Sequence, residues 1–108
     1  MNHIKITPLS VNTCWQGRRF KTPAYKKYEQ DLMYLLPKLE IPKGKLKITI
    51  TFGFSNKASD IDNPLKPMLD ILQKTYGFND KQIYHLEVFK IDVLKNEQFI
   101  AFNIDKCD

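Results

Sequence analysis

Hydrophobic and polar residues alternate most regularly between positions 46 and 54 of this chain. The apolar positions of this segment are Leu46, Ile48, Ile50, Phe52 and Phe54, and the positions between them are Lys47, Thr49, Thr51 and Gly53. Alternation with a period of two is typical of a β-strand. The pattern predicts the strongest strand of the chain here.

A helical pattern precedes this strand. Thr22 is a suitable N-cap, and Pro23 suits the first helical turn. Apolar residues then recur at three- and four-residue steps, at Tyr25, Tyr28, Leu32, Leu35, Leu36 and Leu39. The spacing predicts an amphipathic helix that ends at Pro37.

A second helical pattern follows the strand. Its apolar positions are Leu65, Met68, Leu69, Leu72 and Tyr76. Asn63 is expected to cap this helix, Pro64 to occupy its first turn and Gly77 to end it. Pro67 lacks a backbone donor and is expected to loosen the first turn.

Three weaker strand patterns complete the chain, at residues 3–7, 83–93 and 98–104, and residues 9–21 read as a loop. The polar residues 95–97 predict a turn that joins the last two strands as a hairpin. The order β-α-β-α-β-β predicts one α+β domain over residues 1–108, with two helices packed on a mixed sheet.

Composition indicates a polyanionic partner and an intracellular location. The chain of 108 residues has a net charge of +5. It has no apolar run long enough for a membrane span or signal peptide, and its two cysteines lack metal or redox spacing. We therefore expect a cytoplasmic protein. Because so short a chain has a modest core, a homodimer is also expected.

Acidic residues cluster around the second helix, at Asp60, Asp62, Asp70 and Asp80, together with Lys66. If the chain is extended through Asp60 and Asp62, both carboxylates point the same way at the end of the strongest strand. Mg²⁺ prefers carboxylate oxygens, and phosphoryl transfer uses such a metal to activate water. Chain reversal after the helix is expected to bring Asp80 to the same sheet edge. Lys66 is placed either to contact the scissile phosphate or to hold an aspartate in position.

A structural interpretation of the same residues stays open. An aspartate before a helix often acts as a cap, Lys66 and Asp70 have the spacing of a surface ion pair, and Asn79-Asp80 is common turn chemistry. Each of these residues has its own structural explanation, whereas a metal site accounts for all of them together.

The acidic pattern resembles the RusA family of Holliday-junction resolvases. The resemblance runs from Asp60 to Ile83, as D-x-D-N-x-x-K-x-x-x-D followed by an aromatic-x-D-x-Q-I segment. Upstream, the segment 8–12 with Trp15, Arg18, Arg19 and Thr22 is similar to the N-terminal loop of that family. The resemblance therefore covers most of the chain.

The resemblance implies a dimeric, Mg²⁺-dependent enzyme that makes paired nicks across a four-way DNA junction, with Mn²⁺ as a possible substitute metal. It assigns catalysis and metal binding to Asp60, Asp62 and Asp80, and a catalytic role to Lys66. Asp70 is expected to support Lys66. The family commonly has two adjacent aspartates where this chain has Asn79-Asp80, and the register with Gln82 assigns the essential position to Asp80.

Basic and aromatic residues near the N-terminus suggest DNA contacts through phosphates and stacked bases. The candidates are Asn12, Trp15, Arg18, Arg19, Lys21 and Lys57. The structural alternative is a solvated basic loop with Trp15 in the core.

Two other functions stay open. One is a non-catalytic protein that binds DNA or junctions, and the other is a nuclease for other branched DNA. The typical setting of the resembling family suggests DNA recombination and repair in a bacterial or phage-infected cell.

Overall fold

The strand with the clearest alternation lies at the centre of the sheet. The structure is a computed structural model and describes residues 1–17 and 20–108. In chain order its elements are β1 (Asn2–Ile4), β2 (Trp15–Gln16), β3 (Phe20–Lys21), α1 (Pro23–Leu35), β4 (Leu46–Phe54), α2 (Leu65–Tyr76), β5 (Ile83–Asp92) and β6 (Phe99–Lys106). Short 3₁₀ turns occupy Val11–Thr13 and Asp80–Gln82.

The main sheet is mixed and has the strand order β1-β6-β4-β5. Strand β4 pairs in parallel with β5 and antiparallel with β6, and β1 pairs antiparallel with β6. Strands β2 and β3 form a separate antiparallel pair. The predicted α+β class, with two helices and a mixed sheet, is confirmed.

The predicted hairpin between the last two strands is wrong, because β4 lies between β5 and β6. A turn does follow β5, and Asn96 adopts a positive φ of 71° there. Instead of folding back on β5, the chain crosses the end of β4, where the Val93 amide donates to the Phe54 carbonyl at 2.8 Å. The local pattern identifies a turn but carries no information about which strand becomes the partner.

Helix α1 begins and ends close to the predicted residues. The Thr22 hydroxyl accepts a hydrogen bond from the Tyr25 amide at 3.1 Å, as expected of an N-cap. Leu36 is extended, with φ −67° and ψ 132°. A residue before proline disfavours helical angles, so Pro37 ends the helix through its neighbour.

The start of helix α2 differs from the prediction. Pro64 itself is the N-cap residue, and no side chain caps the helix, so the expected cap at Asn63 is wrong. Pro67 is the third helical residue, where a backbone amide has no acceptor within the helix, so its missing donor does not interrupt the first turn. Gly77 ends the helix in the left-handed conformation, with φ 75°.

A single hydrophobic core lies between the helices and one face of the sheet. The inward residues of β4 pack with Tyr25, Tyr28 and Leu32 of α1 and with Met68, Ile71 and Leu72 of α2. On the opposite face, the Phe99 ring lies directly over Gly53, leaving no room for a β-carbon. Phe89 and Ile91 on that face are about half exposed. The helices therefore cover only one side of the sheet.

Candidate active site

The first two aspartates lie in an exposed loop between β4 and α2, at residues 55–64. Strand β4 ends at Phe54, and the backbone bends at Ile61 and Asp62. The strand therefore does not extend through Asp60 and Asp62, contrary to the expectation. Their carboxylates project from a loop before the helix, not from the strand itself.

The two ends of this acidic loop, residues 55–64, are fixed by hydrogen bonds. At the start, Asn56 Oδ1 accepts from the Ala58 amide at 2.9 Å. At the end, the Asp62 carbonyl accepts from the Leu65 amide at 3.1 Å. Between them, Asn63 Nδ2 donates to Asp60 Oδ2 at 3.4 Å, which is a long and weak contact.

Lys66 and Asp70 form an ion pair one helical turn apart, with 2.8 Å between Nζ and Oδ1. The hydrogen bond and charge of Asp70 raise the pKa of Lys66, and the charge of Asp80 adds to the effect. The Lys66 side chain is 66% exposed, so its ammonium is open to a ligand. Asp70 thus supports a protonated lysine beside the acidic loop.

Asp80 begins a 3₁₀ turn that several side chains hold in place. Its amide donates to Gln73 Oε1 of α2 at 3.0 Å. Gln82 accepts from the Asn79 amide and donates to the Gly44 carbonyl, each at 3.0 Å. The Asp80 backbone is therefore fixed, while its carboxylate is exposed to solvent.

Asn79 has a structural role that explains why an amide is acceptable here. Its side-chain oxygen accepts from the Lys81 amide at 2.9 Å and caps the turn. Asparagine and aspartate cap with the same oxygen geometry. The departure from the paired aspartates of the resembling family therefore preserves the turn that presents Asp80.

The sheet register separates Asp80 from the acidic loop. Phe54 is opposite Asp92, and Leu46 is opposite Ile83. The acidic loop follows one end of β4, and the Asp80 turn precedes β5 at the other end of these strands, although Asp80 lies near enough to Lys66 for its charge to raise the pKa of that lysine. Within residues 1–17 and 20–108, no three metal-ligating side chains lie close enough to hold an ion. Asp80 does not return to the same sheet edge, contrary to the expectation.

The individual carboxylates nevertheless suit a magnesium ion. Across the described part of the chain, the Asp62 and Asp80 carboxylates have no hydrogen-bond or ion-pair partner. Mg²⁺ commonly binds one or two carboxylates and keeps several water ligands. The exposed pair Asp60 and Asp62 provides such a donor set. The assignment of Asp60, Asp62 and Asp80 as metal ligands stays a prediction.

The N-terminal segment, residues 9–17, contacts the acidic loop directly. The Val11 amide donates to the Asn63 carbonyl at 2.8 Å. A cleft of about 180 Å³ lies between the two segments, with Ser10 on one wall and Ser59 and Asp60 on the other. Residues proposed to bind DNA therefore adjoin the proposed metal ligands.

The candidate DNA-binding residues have different environments. Asn12 and Lys57 are exposed. Trp15 is 41% exposed, and its ring meets the Tyr25 ring edge-on at 5.6 Å, so the expected alternative of a core tryptophan does not apply. Arg18 and Arg19 lie outside the described residues.

Lys21 has an ion-pair partner that the sequence analysis missed. Its ammonium is 2.7 Å from Glu29 Oε1, while Lys74 lies 3.0 Å from the other oxygen. The Glu29 side chain is only 12% exposed. Its position among the buried residues of α1, one turn after Tyr25, is the signal that could have identified it. Lys21 is therefore held by protein contacts at the border of the N-terminal segment.

Lys90 of β5 was also missed. It occupies the inward row of the strand after Leu86 and Val88, and its ammonium donates to the carbonyls of Lys57 and Ser59. A lysine in an inward-facing row is the signal that could have identified it.

These features define a class: a basic α+β protein with an exposed carboxylate and lysine centre, suited to phosphate chemistry. Residues 9–101 match the family model described as Endodeoxyribonuclease RusA. The chain belongs to this family of endodeoxyribonucleases. No curated protein sequence matches the chain. No helix among the described residues is long and apolar enough to span a membrane.

Proposed function

We propose that this protein is a Mg²⁺-dependent endonuclease that resolves four-way DNA junctions by paired symmetric nicks in recombination and repair. The observation that carries the proposal is the family match over residues 9–101, combined with the exposed Asp60 and Asp62 beside Lys66. A phosphodiester carries negative charge, which a metal ion and cationic side chains can offset during hydrolysis.

In this proposal Asp60 and Asp62 hold the metal ion, and binding of the metal and DNA brings Asp80 to the same ion. Bound Mg²⁺ supplies an activated water and neutralises charge on the phosphate; Mn²⁺ can replace it. Lys66 is protonated at neutral pH, and the contact with Asp70 raises its pKa further above the ordinary value of 10.5, so its ammonium donates to a phosphate oxygen. Asp70 orients that ammonium through the 2.8 Å ion pair.

The N-terminal segment and Lys57 bind the DNA in this proposal. Trp15 offers an exposed ring for stacking on an unpaired base, and Asn12 lies beside the acidic loop. Arg18 and Arg19 add phosphate contacts. Lys21 contributes to the same positive surface while Glu29 restrains it.

Paired nicks require two active sites, which a homodimer supplies. Exposed apolar side chains along the edge strand β5, including Tyr84, Phe89 and Ile91, support an association of two copies. We place the enzyme in the cytoplasm of a bacterial or phage-infected cell, where branched DNA is formed. The mass of the protein in solution tests the dimer.

The activity is tested with a synthetic four-way junction, purified protein and Mg²⁺. We expect symmetric nicks from the unaltered protein and at least about a hundredfold slower nicking from Asp62→Asn. Asp31→Asn is the matched control, because it removes one exposed carboxylate on the other helix. No nicking by the unaltered protein, or equal rates for Asp62→Asn and Asp31→Asn, refutes the proposal.

The separation of Asp80 from the acidic loop favours a second candidate, a non-catalytic protein that binds junctions. This candidate predicts junction binding that survives EDTA and no cleavage with either Mg²⁺ or Mn²⁺. Parallel reactions on junctions, flaps and plain duplex at one salt concentration distinguish a nuclease for other branched DNA from a junction resolvase.

A further inference from the structure

Lys90 is a partly buried cation with an unusual set of partners. Its Nζ donates to the carbonyl oxygen of Lys57 at 3.1 Å and to the carbonyl oxygen of Ser59. The Phe54 ring centroid lies 6.0 Å from the same atom. Within the described residues no carboxylate pairs with Lys90. The backbone of the acidic loop is therefore the main partner of this charge.

The hydrogen bond to Ser59 acts on the residue next to it. The Ser59 carbonyl belongs to the planar peptide that joins Ser59 to Asp60, so fixing this oxygen also restricts the amide and Cα of Asp60. Hydrogen bonds from a charged donor are about twice as strong as neutral ones. Lys90 thus restrains the chain immediately before the first proposed metal ligand.

The other side of the acid pair is fixed independently. The Val11 amide donates to the Asn63 carbonyl, and the Leu65 amide donates to the Asp62 carbonyl. Asp60 and Asp62 therefore lie between a restraint from the helix side and a restraint from Lys90. Removing the Lys90 side chain would release only the part of the acidic loop that lies between β4 and Asp60.

The fold itself does not require an ammonium at this place. Lys57 is exposed and Ser59 is partly exposed, so water could satisfy both carbonyls. An uncharged residue in the inward row of β5 would also avoid the free-energy cost of partly burying a cation. The arrangement is therefore better explained by a need to hold the loop in one conformation.

We propose that Lys90 is a positioning residue that holds the Ser59–Asp60 peptide and thereby orients the carboxylate of Asp60 for the metal ion. This inference rests on the proposed function, in which the acidic loop binds a metal ion. Lys90 acts through Asp60 and does not itself contact the substrate.

Amide hydrogen exchange over residues 55–63 tests the restraint without reference to activity. In Lys90→Met we expect exchange in this segment to be about 10- to 100-fold faster, since charged hydrogen bonds are lost. Lys90→Arg should restore most of the protection because it keeps a cationic donor. Lys106→Met, which removes an exposed lysine from β6, should leave the segment unchanged. Unchanged exchange in Lys90→Met overturns the proposal.

Metal dependence tests the positioning role. We expect Lys90→Met to need about 10- to 100-fold more Mg²⁺ for half-maximal nicking, with unchanged junction affinity in EDTA and recovery in Lys90→Arg. Faster exchange with an unchanged Mg²⁺ requirement shows a purely structural role and overturns the proposal. Thermal unfolding of each variant shows whether Lys90→Met loses its fold as a whole. If it does, Lys90→Arg is compared with the unaltered protein instead. Equal exchange rates and an equal Mg²⁺ requirement support the proposal, whereas faster exchange and a higher Mg²⁺ requirement in Lys90→Arg overturn it.

A direct measurement of Mn²⁺ binding separates this inference from the proposed activity. If the unaltered protein binds Mn²⁺ but does not nick, the proposed function fails. Weaker binding of the ion by Lys90→Met then still supports the positioning role. Equal binding by Lys90→Met and the unaltered protein overturns it, as does an absence of binding by the unaltered protein.

Discussion

Replacement of Glu29 by glutamine is expected to reduce stability much more than replacement of another carboxylate on the same helix. Glu29 accepts hydrogen bonds from Lys21 at 2.7 Å and Lys74 at 3.0 Å while only 12% exposed. Glu29→Gln keeps the shape of the side chain but removes its charge. Two lysine side chains then share a partly buried site without a counter-ion.

The expected loss is about 2 kcal/mol of unfolding free energy. A hydrogen bond to a charged group contributes about 1.5–3 kcal/mol, and the neutral amide recovers part of this. The Lys74 side chain is 53% exposed, so its share is small. In a domain of this size the loss corresponds to a decrease of about 10 °C in Tm.

Asp31→Asn provides the matched control. Asp31 also bonds a lysine at 2.7 Å, but the two side chains are 76% and 45% exposed, for Lys27 and Asp31 respectively. Exposed pairs of this kind contribute at most about 0.5 kcal/mol. Urea unfolding of both variants at neutral pH measures the difference. Equal losses would show that burial does not determine the strength of the Glu29 contacts.

The pH dependence gives the same comparison a second readout. Partial burial alone would raise the pKa of Glu29, but hydrogen bonds and charge from Lys21 and Lys74 outweigh it, so the pKa lies below the ordinary value of 4.5. A lowered pKa means that Glu29 stabilises the fold above this value and that the contribution is lost as the pH falls through the folded-state pKa. The stability difference between Glu29→Gln and the unaltered protein should therefore disappear in acid. A difference that persists there would refute the reasoning.

Three further predictions follow from single contacts. Gly53→Ala should lower the free energy of unfolding by about 1–3 kcal/mol, as measured by urea unfolding, because the added β-carbon meets the Phe99 ring. An unchanged urea midpoint of unfolding would contradict this packing. Asn79→Asp should leave Tm and the nicking rate nearly unchanged, because both residues cap the turn; a large change in either would rule out an equivalent cap. Asp70→Asn should lower the pKa of Lys66, so the loss of nicking activity at high pH should move to lower pH. An unchanged pH profile of the nicking rate would show that the charge of Lys66 does not contribute to catalysis.

Elements with local signals were predictable from the sequence. Strand β4 has the predicted bounds because its alternation extends over its whole length. Thr22 and Gly77 mark helix ends through their own hydrogen-bonding and backbone preferences. The partner of β6 was not predictable in this way, because strand pairing depends on distant segments. The burial of Thr51 and Gly53 on the outer side of β4 indicates a central strand, but this becomes visible only in the folded chain.

The candidate site was predictable in kind but not in arrangement. The spacing of Lys66 and Asp70 correctly placed an ion pair on one helix face. The sequence could not show that Asp60 lies in a loop held by Lys90, since the two residues belong to different elements. Nor could it show that Glu29 binds lysines from two other segments, since such contacts depend on how the helices pack.

The place of β6 between β1 and β4 determines when the sheet can be completed during synthesis. Asn2, His3 and Ile4 pair with residues 100–102, which leave the ribosome almost a whole chain later. Until then β1 has no strand beside it, and one edge of β4 stays open. The nascent chain can therefore form β4, α2 and β5 as a local parallel unit, but joining β1 to the sheet must await the arrival of β6.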